Sequence, residues 1–288
     1  ETFLAAGLEY RDIQPTIHAL ALRRPLDWLN KTAAFWRSRL GELTVGSTNM
    51  AREAEWSKDF FIRSLIDNFN CIQTTANGTM IAHRQGAPSH GRRLWGIDVE
   101  PTMVSLMHIC PELEAQVLLY FANRSRASNG DIEHSLPILL APIFLARTYL
   151  DATGDKDFFQ KNPNVMKAMQ KIMDDMLSLK HNKVALFSTK YSSDGPVGCR
   201  YDYGTNLKAW FACVSFGRIH ELLGNKEGGR LFTELADEIS LAIDANMVVD
   251  GPFGRQLSGG TNLDREEDPF YSKTGYLYYD GEDTSSML

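Results

Sequence analysis

The sequence predicts an all-α protein, and three observations carry that expectation. Apolar residues recur at helical spacing through most of the 288 residues, strand-like alternation is brief, and tight turns alternate with long loops. From Pro25 the segment PLDWLNKTAAFWRSRLGEL repeats Leu26, Leu29, Ala33, Trp36 and Leu40 on one helical face. A second helix is expected over roughly 54–71, where Trp56, Phe60, Leu65 and Phe69 form the stripe. Further helical patterns follow at about 101–109, 112–124, 135–152, 163–180, 204–223 and 227–247. Pro101 suits the first helical position, with Asp98 as a cap ahead of it. Alternation suited to a strand is brief, as in Lys183–Ser188 (KVALFS) or Tyr276–Tyr279.

The connections are not equivalent. Gly224 to Glu227 is short, with Gly224 placed as a helix C-cap, whereas 72–99, 181–203 and 248–283 are long and rich in Gly, aromatic and charged residues. Such alternation is expected when antiparallel helix pairs form a ring and the long loops gather at one end to build a site. Residues 1–24 lack a clear period and read as a linker or the end of a preceding module. Residues 25–288 read as the ring. Eight or so helices are legible where a closed ring of six hairpins requires twelve, so the expected ring is incomplete, cut short at its C-terminal side.

Composition excludes several classes. Hydrophobic residues make up 43%, enough for a substantial core, and 30 Lys plus Arg against 36 Asp plus Glu leave a net charge of −6. A phosphate-backbone binder needs a clustered basic face, so nucleic acid is not an expected partner. LPILLAPIFLA from Leu136 is far short of the ~20 residues that span a bilayer. Cys71, Cys110, Cys199 and Cys213 are scattered without a CxxC pair and read as free and buried. An extracellular or periplasmic location is preferred to a cytoplasmic one. The histidines show no HExxH spacing and no Gly-rich phosphate loop occurs, so neither a metal nor a cofactor is expected.

The most informative stretch runs from Tyr191 to Leu223. A polar, glycine-rich loop, YSSDGPVGCRYDYGTN, leads directly into an amphipathic helix and sets Asp194 and Asp202 among Tyr191, Tyr201 and Tyr203 at the helix mouth. Asp194, in SSDGP, has the signature of a turn residue. Asp202 has three readings: a catalytic acid, a sugar-binding carboxylate, or the N-cap of the helix, a role Thr205 could also fill.

HSLPILLAPIFLARTYLDATGDKDFF, from His134 to Phe159, resembles the helix ending in "ATGD" and an aromatic pair in the six-hairpin glycosidases and phosphorylases. RLWGIDVEP, from Arg93 to Pro101, is similar to the loop that holds the terminal sugar in that superfamily. The resemblance, to glucoamylase-like and cellobiose-phosphorylase-like enzymes, implies an (α/α)6 toroid with the general acid where the Tyr191–Leu223 segment lies. It also implies an inverting hydrolase acting on a terminal sugar, or a phosphorylase.

Glycoside cleavage needs one carboxylic acid to protonate the leaving oxygen and a second carboxylate across the sugar ring. Asp202 is the candidate acid. Glu282, in YYDGEDTSS beside Asp280 and Asp283, is the candidate base within the chain; the bland reading of that run is a solvated turn. Trp95 offers a stacking face and Asp98 and Glu100 can accept sugar hydroxyls, with Arg93, Tyr201, Tyr203, Asp280 and Asp283 as further substrate contacts. Trp95 packed in the core is the alternative. Arg92, Arg93 and Lys208 are the cations a phosphorylase would turn to phosphate. A ring that binds carbohydrate without catalysis is the reading from another class.

Overall fold

The computed structural model describes residues 18, 22, 24–40, 60, 62–69, 72–74, 80–81, 96–107, 109–123, 135–189, 191, 199–251 and 254–263. The chain divides into two compact units, one made of Glu1–Asn70 with Thr74–Thr79, the other of Cys71–Gln73 with Met80–Leu288.

In the first unit helix α1 spans Pro25–Leu40, with Asp27 in its first turn, and residues 62–69 form helix α2. Phe35, Trp36 and Phe69 hold them together edge to face, with centroids 5.0 to 6.4 Å apart. The apolar stripe expected along α1 is buried only in part. Ala33 and Trp36 are half-buried, but Leu26 and Leu29 are 62% and 65% exposed.

The second unit holds seven helices among the described residues: α3 (Gly96–Leu106), α4 (Pro111–Asn123), α5 (Leu136–Thr153), α6 (Lys156–Lys161), α7 (Pro163–Ser178), α8 (Tyr203–Leu222) and α9 (Lys226–Met247). α3, α5 and α8 pack side by side, α4 and α7 pack on α5 and on each other, and α9 packs along α8. The chain thus steps between two layers as helical hairpins do. This is an all-α fold, as the periodicity predicts.

α5 is the centre of this unit. Its sequence is apolar on every side, and Leu136, Leu140, Ile143, Leu145 and Ala146 are all fully buried. It is also the helix, among the described residues, long and apolar enough to cross a membrane; 67% of that window is buried, so core packing accounts for its composition. Pro142 inside it removes one backbone donor and frees the carbonyl of Ile138. Gly96 packs against that oxygen, and a Cβ there would overlap it and come within 2.8 Å of the Ala141 Cβ. This contact requires glycine at position 96. Pro101 lies inside the helix, and Asp98 lies within its first turn instead of ahead of it, which corrects the expected cap.

The ATGD motif ends α5 and starts α6. Gly154 takes φ 66° and donates its N–H to Leu150 O, while Asp155 Oδ1 accepts from Phe158 N at 3.0 Å and its Oδ2 accepts from the Tyr149 hydroxyl at 2.8 Å. Phe158 and Phe159 then pack on the Tyr149 ring. KVALFS, expected as strand-like, forms no strand: a single bridge pairs Lys180 with Phe187, and Ala185, Leu186 and Phe187 point into the core. Cys110, Cys199 and Cys213 are buried; Cys71 lies outside the described residues.

Candidate active site

The start of α8 is built by three segments that converge on Asp202. Tyr201–Asp202 pairs antiparallel with Gly260–Thr261, Tyr203 N–H donates to Gly259 O at 2.9 Å, and Arg200 N–H donates to Asn262 Oδ1 at 2.8 Å. Gly260 has to be glycine here, because a Cβ would overlap the Sγ of Cys199 and lie 3.2 Å from the Asp202 Cα. From the other side Asn206 bonds Phe187 twice, Oδ1 accepting from its N–H at 2.7 Å and Nδ2 donating to its carbonyl at 3.1 Å. The same Nδ2 donates to Asp202 O at 2.7 Å. Ser258, buried, donates its N–H to Met247 O at 2.7 Å and so ties the clamp to the end of α9.

Within this clamp the Asp202 side chain is the N-cap of α8. Its Oδ2 accepts the Thr205 N–H at 2.7 Å, so the capping role weighed from sequence is real. That bond satisfies one of the free N–H groups of the first turn of α8. Thr205, its other sequence candidate for the cap, is fully buried with no hydrogen-bond partner for its Oγ1 among the described residues.

The remaining predicted residues separate sharply. Tyr201 is 2% exposed, edge-on to His181 and beneath Arg200, so it is a core residue and not a wall against which a sugar could lie. Tyr203 is half-buried, and burial followed by the Asp244 carboxylate of α9 raises its phenol. Glu100, on α3, is half-buried; burial raises its carboxyl and Lys208 of α8 pulls it back. Trp95, Arg92, Arg93, Asp194, Asp280, Glu282 and Asp283 lie outside the described residues, and of Asp98 only the backbone is described.

Two charged residues turn out to lie in the interior, one of them, Glu114, absent from the sequence reading of the site. Glu114, on the buried face of α4 beside Leu113, Val117 and Leu118, is 0% exposed, and burial, then the Glu100 charge, push its carboxyl up to about 8. Lys208, considered only as a phosphate ligand, is 3% exposed. The signal was available: each is a charged residue inside an apolar stripe of helical spacing. Among the described residues no three His, Cys, Asp or Glu side chains are grouped to hold a metal ion.

No protein-family model matches the sequence, and no curated protein matches it. Among solved structures the chain is similar to a metal-independent alpha mannosidase of Streptococcus pneumoniae, in a non-productive substrate complex with alpha-1,6-mannobiose. The TM-score is 0.63 at 12% identity, over 81% of this chain and 67% of that one. At that identity the likeness carries the fold.

Proposed function

We propose that this chain belongs to a glycoside hydrolase that removes a terminal sugar from an oligosaccharide or glycoside by carboxylate acid and base catalysis, with inversion. The observation that carries the reading is the clamp on Asp202, an acid held from both sides at a helix mouth, in a fold similar to that of an alpha mannosidase. Asp202 is the general acid of this proposal. A sugar seated over the helix mouth excludes water, and desolvation favours the protonated, proton-donating form of a carboxyl.

Glu100 serves the sugar hydroxyls, and Glu282 is the base within this chain. An (α/α)6 toroid is the fold of this proposal, and the two-layer packing of α3 to α9 supports it. An α-linked mannoside is the first substrate to test, because the similar structure is an alpha mannosidase. Hydrolysis is preferred to phosphorolysis because Lys208 is buried beside Glu100 and is not offered to phosphate.

The test is product formation from alpha-1,6-mannobiose and a panel of aryl glycosides, with the anomer of the released sugar read by NMR, for the protein and Asp202→Asn. Turnover lost in the variant supports the assignment, and equal turnover overturns it. Cleavage that requires phosphate turns the reading to a phosphorylase. Binding without turnover on any substrate turns it to a carbohydrate-binding scaffold.

A further inference from the structure

Ser258 makes a bond that no helix accounts for. Its hydroxyl donates to Gly260 O at 3.1 Å, two residues on, its N–H donates to Met247 O at 2.7 Å, and it is 1% exposed. Thr148, Thr153 and Thr233 also donate hydroxyls to main-chain carbonyls, but each to the residue four before it in its own helix. Those bonds are internal to the helix that makes them. The Ser258 bond instead crosses a turn to the residue that pairs with Asp202.

The place of that turn in the chain gives it leverage on the acid. Val248–Gly251 pairs antiparallel with Gly254–Leu257, so the chain that leaves α9 doubles back and brings Ser258 to Met247, at the helix end. The next two residues act on the mouth of α8. Gly259 O accepts the Tyr203 N–H at 2.9 Å, and Gly260 lies opposite Asp202 in the pairing of Tyr201–Asp202 with Gly260–Thr261. Neither glycine has a side chain to anchor it. The Ser258 hydroxyl supplies the anchor, since it fixes Gly260 O relative to a residue already held on α9. At the far end of the segment Thr261 Oγ1 accepts the Leu263 N–H at 3.1 Å.

We propose that Ser258 is a positioning residue for Asp202: its hydroxyl holds Gly259 and Gly260 against the main chain of Tyr201 to Tyr203 and so fixes where the Asp202 carboxyl points. The line of contacts runs from Ser258 Oγ to Gly260 O, from Gly260 to the Asp202 main chain, and from Asp202 Oδ2 to the Thr205 N–H. Asn206 holds Asp202 from the other side with three bonds, two of them to Phe187, whereas the Ser258 hydroxyl gives one. Its removal is therefore the gentler way to loosen the acid. The catalytic meaning of this inference rests on the reading of Asp202 as the general acid; the positioning of its carboxyl does not.

The Thr205 amide reports the position of the carboxyl, because Asp202 Oδ2 accepts its N–H at 2.7 Å. In 15N-labelled Ser258→Ala that amide should change its proton shift and exchange roughly 2- to 10-fold faster, a larger change than at the centre of α9. Thr233→Val, which removes a hydroxyl bond of the same kind from α9, should leave Thr205 as it is. On alpha-1,6-mannobiose or whichever aryl glycoside the protein cleaves, Ser258→Ala should lower kcat roughly 10-fold with KM within about 2-fold, since a displaced acid costs the reaction and not the binding. A Thr205 amide unchanged in shift, or loosened no more than the centre of α9, overturns the proposal whatever the activity. Should Ser258→Ala fail to fold, Ser258→Cys, close in size and a weaker donor, gives the same test with a smaller change. A displaced Thr205 amide in a protein that cleaves no glycoside leaves Ser258 as the residue that positions Asp202 and removes the reading of Asp202 as the acid.

Discussion

Asn206 donates its side-chain amide to the carbonyl of Asp202 at 2.7 Å, while its Oδ1 accepts the Phe187 N–H at 2.7 Å. One fully buried amide therefore fixes both the backbone before α8 and the chain that leaves Lys180. Removing it strands a buried N–H and two carbonyls at once. Asn206→Ala should lower stability by about 2–4 kcal/mol. Urea unfolding at fixed pH measures this, and a loss below ~1 kcal/mol would mean that the two segments hold without it.

Asp202 carries two roles that substitution can separate. Asparagine caps a helix about as well as aspartate, so Asp202→Asn should stay within ~0.5 kcal/mol of the parent, whereas Asp202→Ala should lose about 1 kcal/mol with the cap. Activity should not follow that order. If Asp202 is the proton donor, both variants lose at least ~100-fold in kcat/KM, and the alkaline limb of the pH–rate profile disappears in Asp202→Asn. Activity that tracks stability instead would reduce Asp202 to a cap.

The helices were legible because most of them are amphipathic or wholly buried, and period alone reveals either. Other features depend on partners distant in sequence. Position 96 needs glycine because the Ile138 oxygen, left without its helical donor by Pro142, lies against it, and nothing local to GIDVEP says so. Tyr201 looks like an exposed aromatic at a loop mouth, and only its pairing with Thr261 sends it inward. The LSGG segment, Leu257–Gly260, supplies half of the clamp on Asp202 through Gly259 and Gly260, and nothing local to it says so. Glu114 and Lys208 were legible as charged residues in apolar stripes, but their relation through Glu100 depends on how α3, α4 and α8 pack.

The approach of Gly96 to Ile138 makes a sharp packing prediction. Even one methyl group at position 96 meets main chain, which cannot rotate away. Gly96→Ala should lose about 1–3 kcal/mol, more than the gain that alanine brings to an unobstructed helix. Gly217→Ala, whose Cβ would lie 3.2 Å from Gly229 O at the α8–α9 contact, should lose less. Thermal melts of the two variants side by side give the ranking.

Burial and Glu100 push Glu114 up to about 8 from the ordinary 4.5. The folded state therefore holds a proton that the unfolded chain gives up above 4.5. The stabilisation is complete below that pH and is lost as pH rises to about 8, with a slope of up to about 1.4 kcal/mol per pH unit. Denaturant unfolding between pH 5 and 8 should show the decline, and Glu114→Gln should flatten it. An equally steep decline in the variant would assign the linkage to another group.

His220 works in the opposite direction at the other end of α8. Its Nδ1 lies 3.0 Å from Asn225 Nδ2, and Asn225 Oδ1 is taken by the Gly228 N–H, so the amide can only donate to the ring. The proton of the neutral imidazole then sits on Nε2, which is buried with no hydrogen-bond partner among the described residues. The ring is stacked on Phe232, with planes 10° apart, and lies edge-on to Phe216. Protonation would place two donors face to face in an apolar setting, and burial accordingly lowers the imidazole below the usual 6.5 even though a helix C-terminus favours a cation. A base depressed on folding contributes stability that is present above 6.5 and lost as pH falls through its folded value. The α8–α9 hairpin should therefore weaken on acidification, and His220→Phe, which keeps the stacking and removes the titration, should hold its stability between pH 6.5 and 5 better than the parent. Amide hydrogen exchange of the last turn of α8 and the first turn of α9 locates the effect; protection that falls equally in both proteins would rule His220 out as its source.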